Sequence, residues 1–188
     1  MMGMDSMDMS ELETAKPFDR AFIDMMVPHH QAAIEEAKIA QQRAQHDELK
    51  SMADDIISSQ QAEIDKMKEW RADWFGSADT PPISAMPMLP GMSTMPGMET
   101  TGDVEIVDMT QKIEALRNAP EPFDLAFIDA MIPHHSTAIE AAQMALEQAE
   151  RQELKDMAQM IIDDQEKERA QLQTWREEWY ADAAAASP

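Results

Sequence analysis

Two short runs hold the residues best suited to chemistry: Met26-Val27-Pro28-His29-His30 and Met131-Ile132-Pro133-His134-His135. Each places a pair of imidazoles directly after a proline and one helical turn after a thioether, so nitrogen and sulfur can face one point if helical spacing persists. A proline inside a helical pattern removes a backbone hydrogen bond and kinks the helix or starts a new one, and the histidines sit at that irregularity. Clustered imidazole and thioether are the ligands of a soft transition metal, copper(I) above all, with silver(I) as its mimic. The plainer alternative is a pair of structural His–Glu contacts. Occurrence in duplicate, with methionine at the same spacing, favours ligands.

The chain has 19 methionines and no cysteine. Disulfides, thiolate metal sites and cysteine nucleophiles are therefore excluded, while thioether sulfur stays available as a soft, neutral donor. Met1, Met2, Met4, Met7 and Met9 cluster at the start, and Met86, Met88, Met92, Met95 and Met98 lie between the two motifs. Their Pro, Gly, Ser and Asp neighbours cannot form an apolar helix face, so core packing does not account for these ten. Met-x-Met and Met-x-x-Met spacings let backbone wrap several sulfurs around one ion.

What positions the motifs is a duplicated unit. Displaced by 105 residues, Phe18–Phe75 aligns with Phe123–Tyr180 without a gap: FDRAFIDMMVPHHQAAIEEA matches FDLAFIDAMIPHHSTAIEAA, and Glu-Leu-Lys, Ile-Ile and Trp-Arg positions follow in both. Apolar residues recur every three or four positions from Phe22 to Ala44, and Leu49, Ile56, Glu63 and Trp70 fall seven apart. The pattern predicts two helices per repeat, with a break near Gln45-His46-Asp47 at which Asp47 could cap the second helix. Two such hairpins pack into a four-helix bundle with pseudo-twofold symmetry.

Folding the hairpin about residue 46 sets His30 opposite Glu63, Met26 opposite Met67 and Phe22 near Trp70. The second copy sets His135 opposite Glu168 and Met131 opposite Leu172. Gln60 and Glu63 interrupt an apolar stripe, and buried polar groups need partners, with histidine the natural one. Glu63 and Glu168 would orient the imidazoles; their direct ligation would suit a harder ion such as iron, manganese or zinc. The segments are then a Met-rich start (1–17), a first hairpin (18–75), a Met/Pro/Gly-rich flexible linker with extended stretches (76–102), an accessory helix (103–119), a second hairpin (120–181) and a disordered tail (182–188). The accessory helix is read from Ile106, Met109, Ile113 and Leu116 on one face. A further short helix is expected at Ser10–Lys16, where Ser10 and Glu13 have capping-box form.

Composition agrees with an all-α fold: five glycines, 5% aromatics, and mostly helix-favouring residues. A net charge of −22 repels nucleic acid and anionic lipid and attracts cations. No apolar run approaches the roughly 20 residues of a membrane span, and Met1–Ser10 lacks the form of a signal peptide.

Phe-Asp-x-x-Phe-Ile-Asp-x-Met-x-Pro-His-His, with the Glu-Leu-Lys, Ile-Ile, Gln and Trp positions after it, resembles the domain-of-unknown-function family numbered 305, in both repeats. The resemblance implies a ferritin-like bundle of two similar hairpins, export to the bacterial cell envelope or beyond, and, in some members, copper binding or copper resistance. This sequence departs from many members in having Glu36 and Ala141 where another methionine follows the histidines. It also lacks the Glu-x-x-His pair of ferritin-like di-iron enzymes.

The leading expectation is a non-catalytic protein that sequesters or passes on copper(I), with metal ions and a copper-transport or copper-resistance protein as partners. The alternatives are a dinuclear enzyme of oxygen or peroxide chemistry, built from His29, His30, Glu63, His134, His135 and Glu168, and a structural module in which the histidines lock the bundle. No nucleophile, general base or cofactor pocket is evident.

Overall fold

The computed structural model describes residues 17–92 and 106–184, the last three for their backbone alone. Met1, Met2, Met4, Met7, Met9, Met95 and Met98, and the helix expected at Ser10–Lys16, lie outside the described residues. The fold is all-α, with a two-stranded ribbon as its one departure among the described residues. Helix α1 (Phe18–Arg43) pairs with α2 (Asp47–Phe75). A 3₁₀ turn (Ile83–Ala85), strand β1 (Met86–Pro87), strand β2 (Ile106–Val107) and α3 (Thr110–Arg117) follow, and α4 (Phe123–Gln148) pairs with α5 (Gln152–Ala184). The two hairpins meet through α1 and α4, which form the inner layer, and α3 lies across both.

Burial explains the sequence of α1. Every residue from Phe22 to His30 is buried, because this stretch is covered by α2 on one side and α4 on another. Both proline-bearing helices run on without interruption, so neither Pro28 nor Pro133 starts a new helix. On α2 the heptad positions behave as spaced: Leu49, Ala53, Ile56, Gln60, Glu63 and Met67 are buried, and Trp70 and Trp74 pack at the margin. Gly76 ends α2 in the left-handed region (φ 81°), a conformation that favours glycine.

The turns are held by a device the sequence reading did not foresee. Asp47 is the first residue of α2 and not its cap. His46 holds the cap position without a side-chain cap bond. The turn is closed by the other repeat: the buried Asp124 carboxylate accepts from the Gln45 N–H (2.8 Å), the His46 N–H (2.9 Å) and His46 Nδ1 (2.6 Å). The symmetry mate does the same. Buried Asp19 accepts from the Glu150 N–H (2.9 Å), the Arg151 N–H (3.2 Å) and Arg151 Nη1 (3.2 Å). Each turn also rests on the other hairpin's tryptophan: His46 stacks on Trp179 at 3.7 Å, and the Arg151 guanidinium lies 4.4 Å from the Trp74 ring centre.

Three further expectations are corrected. Met86 and Met88 do not hang in a flexible linker: β1 pairs antiparallel with β2, and Met86, Met88 and Leu89 are buried in the core, with Met92 packed against it. Two ladder pairs and the apolar surface of α1 order this stretch despite its Pro and Gly content. The accessory helix is shorter than predicted, because Ile106 and Val107 are taken by the ribbon; Met109, Ile113 and Leu116 face the core, while Ile106 is 54% exposed. The last helix continues to Ala184, past the expected boundary at 181.

Candidate metal centre

The two Pro-His-His runs meet where α1 crosses α4. His29 and His134 lie against each other across that contact, with ring centres 3.8 Å apart and planes inclined at 41°. Both are buried, and none of their four ring nitrogens has a hydrogen-bond partner. Burial, with the neighbouring imidazoles, holds both well below the ordinary histidine range. Each is therefore neutral at physiological pH, with a nitrogen lone pair available.

The second histidine of each pair is placed differently. His30 Nε2 lies 2.7 Å from Glu63 Oε2, and His135 Nε2 lies 2.7 Å from Glu168 Oε2. With a carboxylate as acceptor, Nε2 carries a proton; both Nδ1 atoms are buried and unpartnered. The two glutamates thus orient imidazoles, as the hairpin register requires. Salt bridges about two turns away match that register: Arg71 Nε to Asp24 Oδ1 at 2.6 Å, and Arg176 Nε to Asp129 Oδ1 at 2.6 Å. Gln60 behaves otherwise than expected. It is buried with both amide atoms unpartnered, as is Oε1 of its mate Gln165, so histidine does not satisfy it.

Met26, Met67 and Met131 are fully buried in the hydrophobic core. Among the described residues no three His, Asp or Glu side chains group to hold one ion. The six residues named for a dinuclear site nonetheless lie in one run of contacts, Glu63–His30–His29–His134–His135–Glu168. Buried imidazole nitrogens without partners are costly, at about 1–3 kcal/mol for each lost bond, and the lone pair of each neutral ring could be taken up by a cation.

Glu36 is a group whose placement the sequence did not reveal. It is 2% exposed, its Oε2 has no partner, and burial raises its pKa to about 7 against the pull of Lys112. It lines a cavity of about 370 Å³ beneath α3 that also touches His134. A larger groove of about 670 Å³ between α2 and α5 reaches Glu168 and is lined by no histidine.

An all-helical protein built of two hairpins, with an imidazole pair buried at their junction, is the class these features define. The chain belongs to the family described as domain of unknown function DUF305, whose model matches residues 1–71 and 19–176. Solved structures of CopM are similar to it. The Cu(I)-bound form shares 34% identity over 86% of this chain and 97% of that one, with a TM-score of 0.67, and a silver-bound form gives 34%, 86%, 96% and 0.68. A Cu(II)-bound form of CopM is similar too, at 37% identity. A DUF305 fragment from Deinococcus radiodurans shares the fold at 24% identity and a TM-score of 0.62, over 85% of this chain and 95% of that one. No curated protein matches. Among the described residues no helix is long and apolar enough to cross a membrane.

Proposed function

We propose that this protein binds copper(I), with silver(I) as a mimic, at the junction of its two hairpins, and sequesters it or passes it on without catalysis. The observation that carries the reading is the His29–His134 pair: four buried, unpartnered ring nitrogens on two neutral imidazoles in contact. Binding a cation there releases few protons, because the ligands are already neutral. Nδ1 of His30 and His135 and the sulfurs of Met26, Met131 and Met67 are the further donors, and a mixed imidazole–thioether set selects a soft ion over iron, manganese or zinc. Glu63 and Glu168 hold the outer imidazoles in place.

The copper- and silver-bound forms of CopM support this assignment, because the similarity spans nearly that whole protein. Met92, Met95 and Met98 are further candidate sulfur donors. Export to the cell envelope and exchange with a copper-transport or copper-resistance protein complete the proposal.

The test is an anaerobic copper(I) titration against a chromophoric chelator. The parent should compete for the ion, and a variant with all four paired histidines changed to alanine should hold less of it, and more weakly. Equal competition by the two would remove the junction site from consideration.

A further inference from the structure

We infer that the cavity beneath α3 is the passage by which a soft monovalent cation reaches and leaves the His29–His134 pair, with Glu36 as the ligand that takes it in transit. This rests on the junction site proposed above. The cavity has a floor of Glu36 and His134, a roof of Lys112 and Ala115 on α3, and a wall of Ala126 and Ala130 on α4. Its volume of about 370 Å³ exceeds by far the roughly 30 Å³ share of one water in the liquid, so a hydrated or ligated ion fits. Two groups in it are buried and have an unpartnered polar atom: Glu36 Oε2 and the His134 ring.

The repeat shows that this carboxylate is not needed for the fold. The position equivalent to Glu36 is Ala141, fully buried in the core. The carboxylate therefore occurs on the side that α3 roofs. Arg43 holds that roof, with Nη1 donating to the Arg117 carbonyl (2.8 Å) and Nη2 to the Ala119 carbonyl (2.8 Å).

Oxygen is a poor partner for a soft ion, and that is what a transit ligand requires. An incoming ion exchanges one ligand of its carrier for a Glu36 oxygen, whose proton, if present, leaves to solvent. A His134 nitrogen then displaces the oxygen. A thioether at residue 36 would retain the ion instead. Lys112 sits over this path, and its charge acts on Glu36, His29 and His134 together.

Stopped-flow transfer of copper(I) from its bicinchoninate complex to the full chain tests the passage. Ala126→Leu, which narrows the wall, should slow loading and unloading together by at least tenfold and so leave the equilibrium constant within about twofold. Glu36→Met should slow unloading more than loading. Lys112→Glu, at an exposed position, should speed loading more than threefold, and it keeps the idea testable if Ala126→Leu does not fold by circular dichroism. Parental rates in folded Ala126→Leu, or in Lys112→Glu, would overturn the passage. A parent that takes no copper(I), or a four-histidine variant that takes it equally well, would instead overturn the junction site.

Discussion

Changing Asp124 to alanine tests whether the two hairpins are held together by reciprocal clamps. The substitution removes three hydrogen bonds to a buried carboxylate, at 2.8, 2.9 and 2.6 Å. Bonds to charged groups are worth about 1.5–3 kcal/mol each. Gln45 is exposed and His46 partly so, so water can replace part of what is lost, and about 1 kcal/mol per bond is the better figure. We expect a loss of about 3 kcal/mol in urea unfolding followed by circular dichroism. That corresponds to a melting temperature lower by roughly 9 °C for a domain of this size. Asp19→Ala should cost about the same through Glu150 and Arg151. The clamps stand at opposite ends of α1, on the order of 35 Å apart at 1.5 Å per residue, so the double variant should lose the sum to within about 0.5 kcal/mol. A double variant losing less than about 2 kcal/mol would refute the argument that these carboxylates hold the hairpins together.

Glu36 has its pKa raised to about 7 from the ordinary 4.5, so the folded chain keeps a proton that the unfolded chain gives up, and stability declines as pH climbs between those values. Glu36→Gln should therefore exceed the parent by about 3 kcal/mol at pH 8 and match it near pH 4, read from urea midpoints. His29 and His134 act in the opposite sense. Their folded pKa is lowered, so the stability present above pH 6.5 falls by about 1.4 kcal/mol per pH unit for each histidine as acid is added below it. Replacing both by leucine in a Glu36→Gln background should flatten that acid limb. Met86→Ala should cost about 2–5 kcal/mol by leaving a cavity, while Met86→Leu costs less than about 1.5 kcal/mol. In a chelator titration neither should change copper(I) capacity.

The fold was legible because its period was written twice. Repetition at 105 residues and the heptads on α2 gave four long helices, and the hairpin register alone brought His30 to Glu63 and His135 to Glu168. That His29 meets His134 could not be read this way, since it depends on how the hairpins cross and not on spacing within either. The Phe-Asp pair opening both repeats was a visible signal for Asp19 and Asp124, but a carboxylate in a first helical turn reads equally well as an ordinary partner of the helix dipole. Met86 and Met88 were misread because the Pro and Gly around them suggest a flexible linker, whereas the two-pair ribbon and the surface of α1 bury them. Glu36 was noticed as a departure from its relatives, yet its burial depends on α3, which lies far from it in sequence.

Each hairpin's turn is closed by residues of the other, and nothing in those contacts requires both hairpins to belong to one molecule. Asp19 would meet Glu150 and Arg151 of a second copy as readily as its own. What keeps the exchange within a single chain is the connection through 76–109, whose described parts pack on α1 and hold each hairpin beside its mate at an effective concentration that sets the threshold for exchange between molecules. Dilute protein closes on itself. Crowded above that threshold, two molecules can trade hairpins with every clamp satisfied, and the traded pair would carry two junctions, each with a His29 from one chain beside a His134 from the other. The clamps and the His29–His134 contact would then be the same whether the two hairpins that meet belong to one chain or to two.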